Sequence, residues 1–131
     1  SKTMEGLKSV TTELMEKINR KKADIENINV KRAVAMIHEF YRMGITLEEI
    51  ALKLGITPEY LGTQFHQEMG VNFSAYIKGV RINKAKELLL GTNLKMYQIA
   101  ERVGYSDPKY FSRVFKAETG QLPAEYRKTR K

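Results

Sequence analysis

Two sets of polar and charged residues recur about fifty positions apart. In "TPEYLGTQFHQEMG", Thr57 to Gly70, an apolar stripe through Tyr60, Leu61 and Phe65 leaves Glu59, Gly62, Thr63, His66 and Gln67 facing outward. In "DPKYFSRVFKAETG", Asp107 to Gly120, the equivalent stripe of Tyr110, Phe111 and Phe115 leaves Lys109, Ser112, Arg113 and Lys116 outward. Residues on one helical face at spacings of three and four can recognise a polar surface through hydrogen bonds and charge. Arg113 is the sharpest of them, because a planar guanidinium can give guanine O6 and N7 two hydrogen bonds, a pairing that discriminates by about 1–3 kcal/mol. Lys116, a flexible ammonium nearly one turn further on, suits a phosphate instead.

Covalent chemistry is poorly served. The chain has no cysteine, which excludes a disulfide framework and a thiolate metal site. No paired carboxylates, phosphate-binding loop or nucleophile–base pair stands out. His38 and His66 are isolated and read as solvated or locally hydrogen-bonded imidazoles, too few for a metal site. The expectation is a non-enzyme with no cofactor and no metal.

Charge points the same way. The chain of 131 residues carries a net charge of +8, and its distribution is uneven. Residues 1–77 hold ten Lys/Arg and ten Asp/Glu, whereas residues 78–131 hold thirteen against five. A basic half attracts polyanions, with nucleic-acid phosphates or an acidic membrane surface the usual candidates. No apolar run approaches the roughly 18 residues of a membrane span, and no secretory h-region opens the chain, so it is expected to be soluble and cytoplasmic, with no membrane partner. The opening residue, Ser1, is not an initiator Met, and the chain is expected to be a fragment of a longer polypeptide.

The elements that must position these residues are helical throughout, with no strand-like alternation. Asn27 or Asn29 offers an N-cap for a helix with Val30, Val34, Ile37 and Tyr41 on one face, ending near Gly44. Thr46 and Glu49 fit a capping box ahead of Leu47, Ile50, Ala51 and Leu54, and Gly55 closes that helix. Thr57 and Pro58 then cap and start a helix to Met69. A long helix follows from Ser74 to Leu90, carrying Tyr76, Ile77, Val80, Ala85, Leu88 and Leu89. The first pattern then returns, with a short helix in "LKMYQIAERVG", a turn, and a helix from Pro108 to Gly120.

Laid over each other, Ile50, Ala51 and Gly55 match Ile99, Ala100 and Gly104. One inserted residue later, Tyr60, Phe65, Glu68, Gly70 and Tyr76 match Tyr110, Phe115, Glu118, Gly120 and Tyr126. The matching positions are mostly core and turn residues, and most of the exposed positions differ. A short helix, a glycine turn and a second helix with a polar face is the helix-turn-helix plan, whose second helix fits a major groove about 12 Å wide. Two similar scaffolds with different exposed residues could read two different pieces of sequence.

The stretch "RINKAKELLLGTNLKMYQIAERVGYSDPKYFSRVFKAETGQLPAEYRK", Arg81 to Lys128, resembles the signature region of AraC/XylS-type bacterial transcription regulators through its "IA...GY", "YFSRVFK...G" and "P..YR" elements. The resemblance covers roughly residues 29–131. It implies an all-α, seven-helix, homeodomain-like pair of helix-turn-helix subdomains, at about 46–70 and 95–120, joined by a long helix at about 74–90. It further implies sequence-specific binding of double-stranded promoter or operator DNA by two recognition helices in successive major grooves. Carried over position by position, base reading falls on Glu59, Gly62 and Thr63, and on Pro108, Lys109, Ser112 and Arg113; His66 and Lys116 join them from the outward-facing set. Gly62 and acidic Glu59 depart from the larger or basic groups of many relatives. Lys95, Lys109, Arg113, Lys116 and the tail Arg127, Lys128, Arg130 and Lys131 would supply phosphate contacts, although the tail could equally be solvated. Arg81 and Arg102 read instead as surface or intersubdomain salt bridges.

Residues 1–28 lie outside the resemblance. Met4, Leu7, Thr11, Leu14, Ile18, Lys21, Ile25 and Ile28 form a heptad seam, expected to be an extra N-terminal helix that either dimerises as a coiled coil or packs on the rest. The resemblance also implies a sensory or receiver domain ahead of this one, and RNA polymerase as a further candidate partner. The rival reading is a basic helical module that docks on an acidic protein. A third, alkyl-transfer DNA repair, needs a cysteine acceptor that the chain lacks.

Overall fold

The computed structural model describes residues 28–130, and within them every regular element is a helix. Helix α1 covers residues 28–40 and tightens into a 3-10 turn, Tyr41–Met43, before Gly44. Then come α2 (Leu47–Leu54), α3 (Pro58–Met69), α4 (Phe73–Gly91), α5 (Met96–Arg102), α6 (Pro108–Thr119) and α7 (Pro123–Lys128). Asn29 lies inside α1 rather than capping it, and Asn27 and the seam from Met4 to Ile25 are outside the described residues. Ile28, the last seam position, is exposed.

The caps explain where the helices begin. The Thr46 hydroxyl accepts from the Glu49 amide at 3.1 Å, and the Thr57 hydroxyl from the Tyr60 amide at 3.1 Å. The Asn72 side chain accepts from the Ala75 amide at 2.8 Å, which starts α4 at Phe73, a cap the sequence pattern did not single out. In the second copy the inserted residue, Asp107, is the cap of α6 and accepts from the Lys109 amide at 2.9 Å.

Two hydrophobic clusters form, one on each half of α4. The first gathers Ile37, Ile50, Ala51, Leu61, Phe65 and Ile77, and the second Ile82, Leu89, Ile99, Val103, Phe111 and Phe115. In each, a fully buried phenylalanine meets a tyrosine edge-on: Phe65 with Tyr76 at 5.4 Å between centroids, Phe115 with Tyr126 at 5.5 Å. Such pairs add about 0.5–1.5 kcal/mol to the burial of the rings themselves.

Arg81 joins the halves, and it does so without a salt bridge. Its Nε and one terminal nitrogen donate to the Tyr41 carbonyl at 3.1 and 3.0 Å, and its guanidinium lies 5.4 Å from the centroid of Tyr105. Tyr41 packs against both clusters. Gly104, at φ +100°, makes the approach: a Cβ there would stand 2.8 Å from the Tyr41 carbonyl oxygen, so no larger residue fits. Burial pushes the Tyr105 phenol above its ordinary pKa, while neighbouring Arg81 pulls it back.

Candidate nucleic-acid interface

Helices α3 and α6 present the candidate residues on two copies of one frame. Leu61 and Phe65 are fully buried in α3, as are Phe111 and Phe115 in α6, which turns the opposite face of each helix outward. Glu59, Thr63 and His66 are exposed on α3, and Pro108, Lys109, Arg113 and Lys116 on α6; Gly62 and its counterpart Ser112 are half-buried. Gln64 and its counterpart Val114 are also half-buried, flanking the stripe.

Tyr60 and Tyr110 depart from the expected core. They are 40% and 51% exposed, because the buried stripe of each helix runs only through the i, i+4 pair and the tyrosine one residue earlier sits a hundred degrees around the helix. Tyr110 instead supports the site. Its ring meets Tyr105 edge-on at 5.9 Å, and the Arg113 guanidinium lies 6.0 Å from its centroid. Exposed cation–ring contacts of this kind contribute about 0.5–1 kcal/mol, enough to bias an arginine rotamer without locking it.

The basic tail differs from expectation more sharply. Arg127 donates through Nε to the Leu89 carbonyl at 3.1 Å and through a terminal nitrogen to the Thr92 carbonyl at 3.2 Å. Arg130 donates to the Thr92 carbonyl at 2.9 Å and to the Asn93 side-chain oxygen at 3.1 Å. The end of α4 has carbonyls without intrahelical partners and a negative dipole, and these two guanidinium groups satisfy both, which spends part of their donor capacity inside the fold. Lys128 is exposed, and Lys131 lies outside the described residues.

Lys95 is the N-terminal boundary residue of α5 and is exposed, with its backbone amide bonded to the Gln98 side chain at 2.9 Å. Arg102 is exposed at the other end of α5. Lys78 pairs with Glu118 at 3.0 Å, which raises its pKa and joins α4 to the end of α6. His38 is bonded, through Nε2 to the Tyr76 hydroxyl at 3.0 Å, a partner 38 residues away rather than a local one. No group of three or more His, Asp or Glu among the described residues could hold a metal ion, and no described helix is long and apolar enough to cross a membrane.

A paired scaffold of this kind, with a polar second helix in each copy, defines a double helix-turn-helix domain. Comparison with known proteins narrows this. Residues 30–129 match the helix-turn-helix domain family. The chain is 34% identical over 119 residues to the uncharacterised helix-turn-helix-type transcriptional regulator YtdP of Bacillus subtilis, covering 90% of this chain and 15% of that one. It is 32% identical over 111 residues to the lactose operon transcription activator of Staphylococcus xylosus, covering 85% of this chain and 40% of that one. Among solved structures, the C-terminal domain of AraT, a response regulator from Geobacillus stearothermophilus, superposes with a TM-score of 0.76 at 42% identity, covering 78% of this chain and 85% of that one. The chain belongs to the AraC/XylS-type family of helix-turn-helix transcriptional regulators, and its fold is that of the family's DNA-binding domain. It spans less than half the length of these two curated relatives.

Proposed function

We propose that residues 29–131 bind double-stranded DNA sequence-specifically as the DNA-binding part of a transcription regulator, with α3 and α6 in successive major grooves. The observation that carries this is the matched burial of the two helices: the same positions face the core in both, and the opposite faces carry different polar residues. A scaffold held constant while its exposed face changes suits two readouts of different sequence. In this reading Arg113 reads a guanine, Lys109 and Ser112 flank it, Pro108 lets the start of α6 approach the groove, and Lys116 and Lys95 meet phosphates. Glu59, Gly62, Thr63 and His66 read through the first helix with fewer charged donors.

The chain's short span of its relatives supports a further, sensory or receiver domain in the whole protein, whose site of action is the cytoplasm. Residues 1–28 would connect the two, and their seam would dimerise the protein; RNA polymerase is a candidate contact once the domain is on a promoter. Sedimentation of the chain with and without residues 1–28 tests the seam: equal masses at micromolar concentration would remove it.

A gel shift with a duplex enriched from a random pool, at two salt concentrations and against competitor DNA, tests the main reading. A preference for the enriched duplex that persists as affinity falls with salt is expected. Equal binding to all duplexes would leave a basic module for an acidic partner as the better account.

A further inference from the structure

The first recognition helix borders a shallow hollow. Gly62 stands in α3 where α6 has Ser112, and a Cβ on Gly62 would lie 3.5 Å from Leu47 Cδ2. The Leu47 side chain, from the start of α2, therefore reaches the bare backbone of α3 and lines a shallow hollow with Pro58, Glu59, Gly62, Thr63 and His66. Of the α3 residues in that set, Glu59, Thr63 and His66 are exposed, and Pro58 and Gly62 are half-buried. The Thr63 hydroxyl donates to the Glu59 carbonyl at 3.0 Å, so its proton is committed and it can offer a ligand its methyl group and an acceptor oxygen. The lining is mostly apolar, and its charged members, Glu48 and Glu59, are carboxylates that accept hydrogen bonds and donate none.

We propose that this hollow seats the C5 methyl group of a thymine, so that α3 reads a T·A pair by apolar contact where α6 reads with cations. The proposal rests on the DNA-binding reading of residues 29–131. In the major groove thymine alone presents a methyl group; cytosine has a hydrogen there and the purines have nothing equivalent. Glu59 narrows the choice less than the methyl does. A carboxylate is repelled by guanine O6 and N7 and accepts from an exocyclic amino group, which adenine and cytosine both present, so the apolar contact carries the selection of thymine. Leu47, on the supporting helix, is thereby a specificity-determining residue that the recognition helix alone would not disclose.

The test uses uracil, which pairs as thymine does but lacks the methyl. A duplex enriched from a random pool is remade with each thymine in turn replaced by deoxyuridine, and binding to the intact chain is measured. One or two substitutions are expected to weaken binding about fourfold, the value of one buried methyl group. Gly62→Ser, which copies the second helix and whose Cβ meets only ordinary contact distance at Leu47, should bind thymine and uracil duplexes alike at those positions. Serine also favours helix over glycine, so this variant should melt no lower than the parent. A flat uracil scan on a duplex that binds specifically would overturn the hollow and leave DNA binding standing. A loss that persists unchanged in Gly62→Ser would also overturn it, by moving the methyl contact elsewhere. Failure to enrich any duplex would overturn the DNA-binding reading and the hollow together.

Discussion

Phe65 and Phe115 are both fully buried, both sit four residues after another buried anchor, and both meet a tyrosine edge-on. Two residues before each, the exposed side chain is Thr63 in one copy and Arg113 in the other; one residue after each, it is His66 and Lys116. The interior of the repeat is held because a packed core tolerates little change of shape, while the exposed face has no such constraint. The difference falls in charge as well as identity. The outer face of α6 carries Lys109, Arg113 and Lys116, and that of α3 carries Glu59, a hollow and a histidine. The second copy is thus suited to strong, salt-sensitive attachment, and the first to shape and methyl contacts.

The largest expected effect breaks the shared interior. Phe115→Ala should cost about 3–5 kcal/mol through lost burial and a cavity, and Phe65→Ala a similar amount, since the two rings have matching surroundings. Chemical denaturation of both variants checks this; a cost confined to one would mean that the two cores are not equivalent in the way their burial suggests. The next effect concerns the joint. Arg81→Ala removes two charged hydrogen bonds to the Tyr41 carbonyl and the contact with Tyr105, and about 1.5–3 kcal/mol should be lost. Thermal melting should also broaden as the two bundles uncouple. A sharp, unshifted transition would remove Arg81 as the joint.

Smaller effects separate the cations of the second copy. Lys116→Ala should weaken binding to all duplexes alike and lower the salt slope by about one, as loss of a phosphate contact does. Arg127→Ala should lower the melting temperature, because the end of α4 loses two donors, yet leave the salt slope where it was. If Arg127→Ala changed the slope and not the melting, the tail would be a phosphate clamp after all.

Much of this architecture is legible in the residues themselves. The Ile-Ala-x-x-x-Gly frame, the proline starts and the closing glycines mark the helices, because caps and turns are local. The Leu61/Phe65 and Phe111/Phe115 stripes are legible for the same reason. What escapes is tertiary. Arg127 and Arg130 read like any basic tail until α4 is seen to end beside them, and Tyr60 and Tyr110 share an apolar label with residues that pack quite differently. Leu47 reads as core; only the fold lays it against Gly62. Ile82 does not stand out in the long helix's apolar set, because α4 serves two cores on different faces, which blurs a single helical period.

In the proposed reading, two copies of one scaffold recognise separate stretches of DNA through their exposed residues. Enrichment of binding sites from one random pool, by the parent chain, by Thr63→Ala and by Arg113→Ala, tests it most directly. Each variant is expected to relax preference at one or two base pairs, in two segments about one helical turn, roughly 10 base pairs, apart, with Arg113→Ala costing about 1–3 kcal/mol at its own segment. Relaxation of the same positions by both variants, or a loss of affinity by Arg113→Ala that is equal on enriched and random DNA, would contradict it.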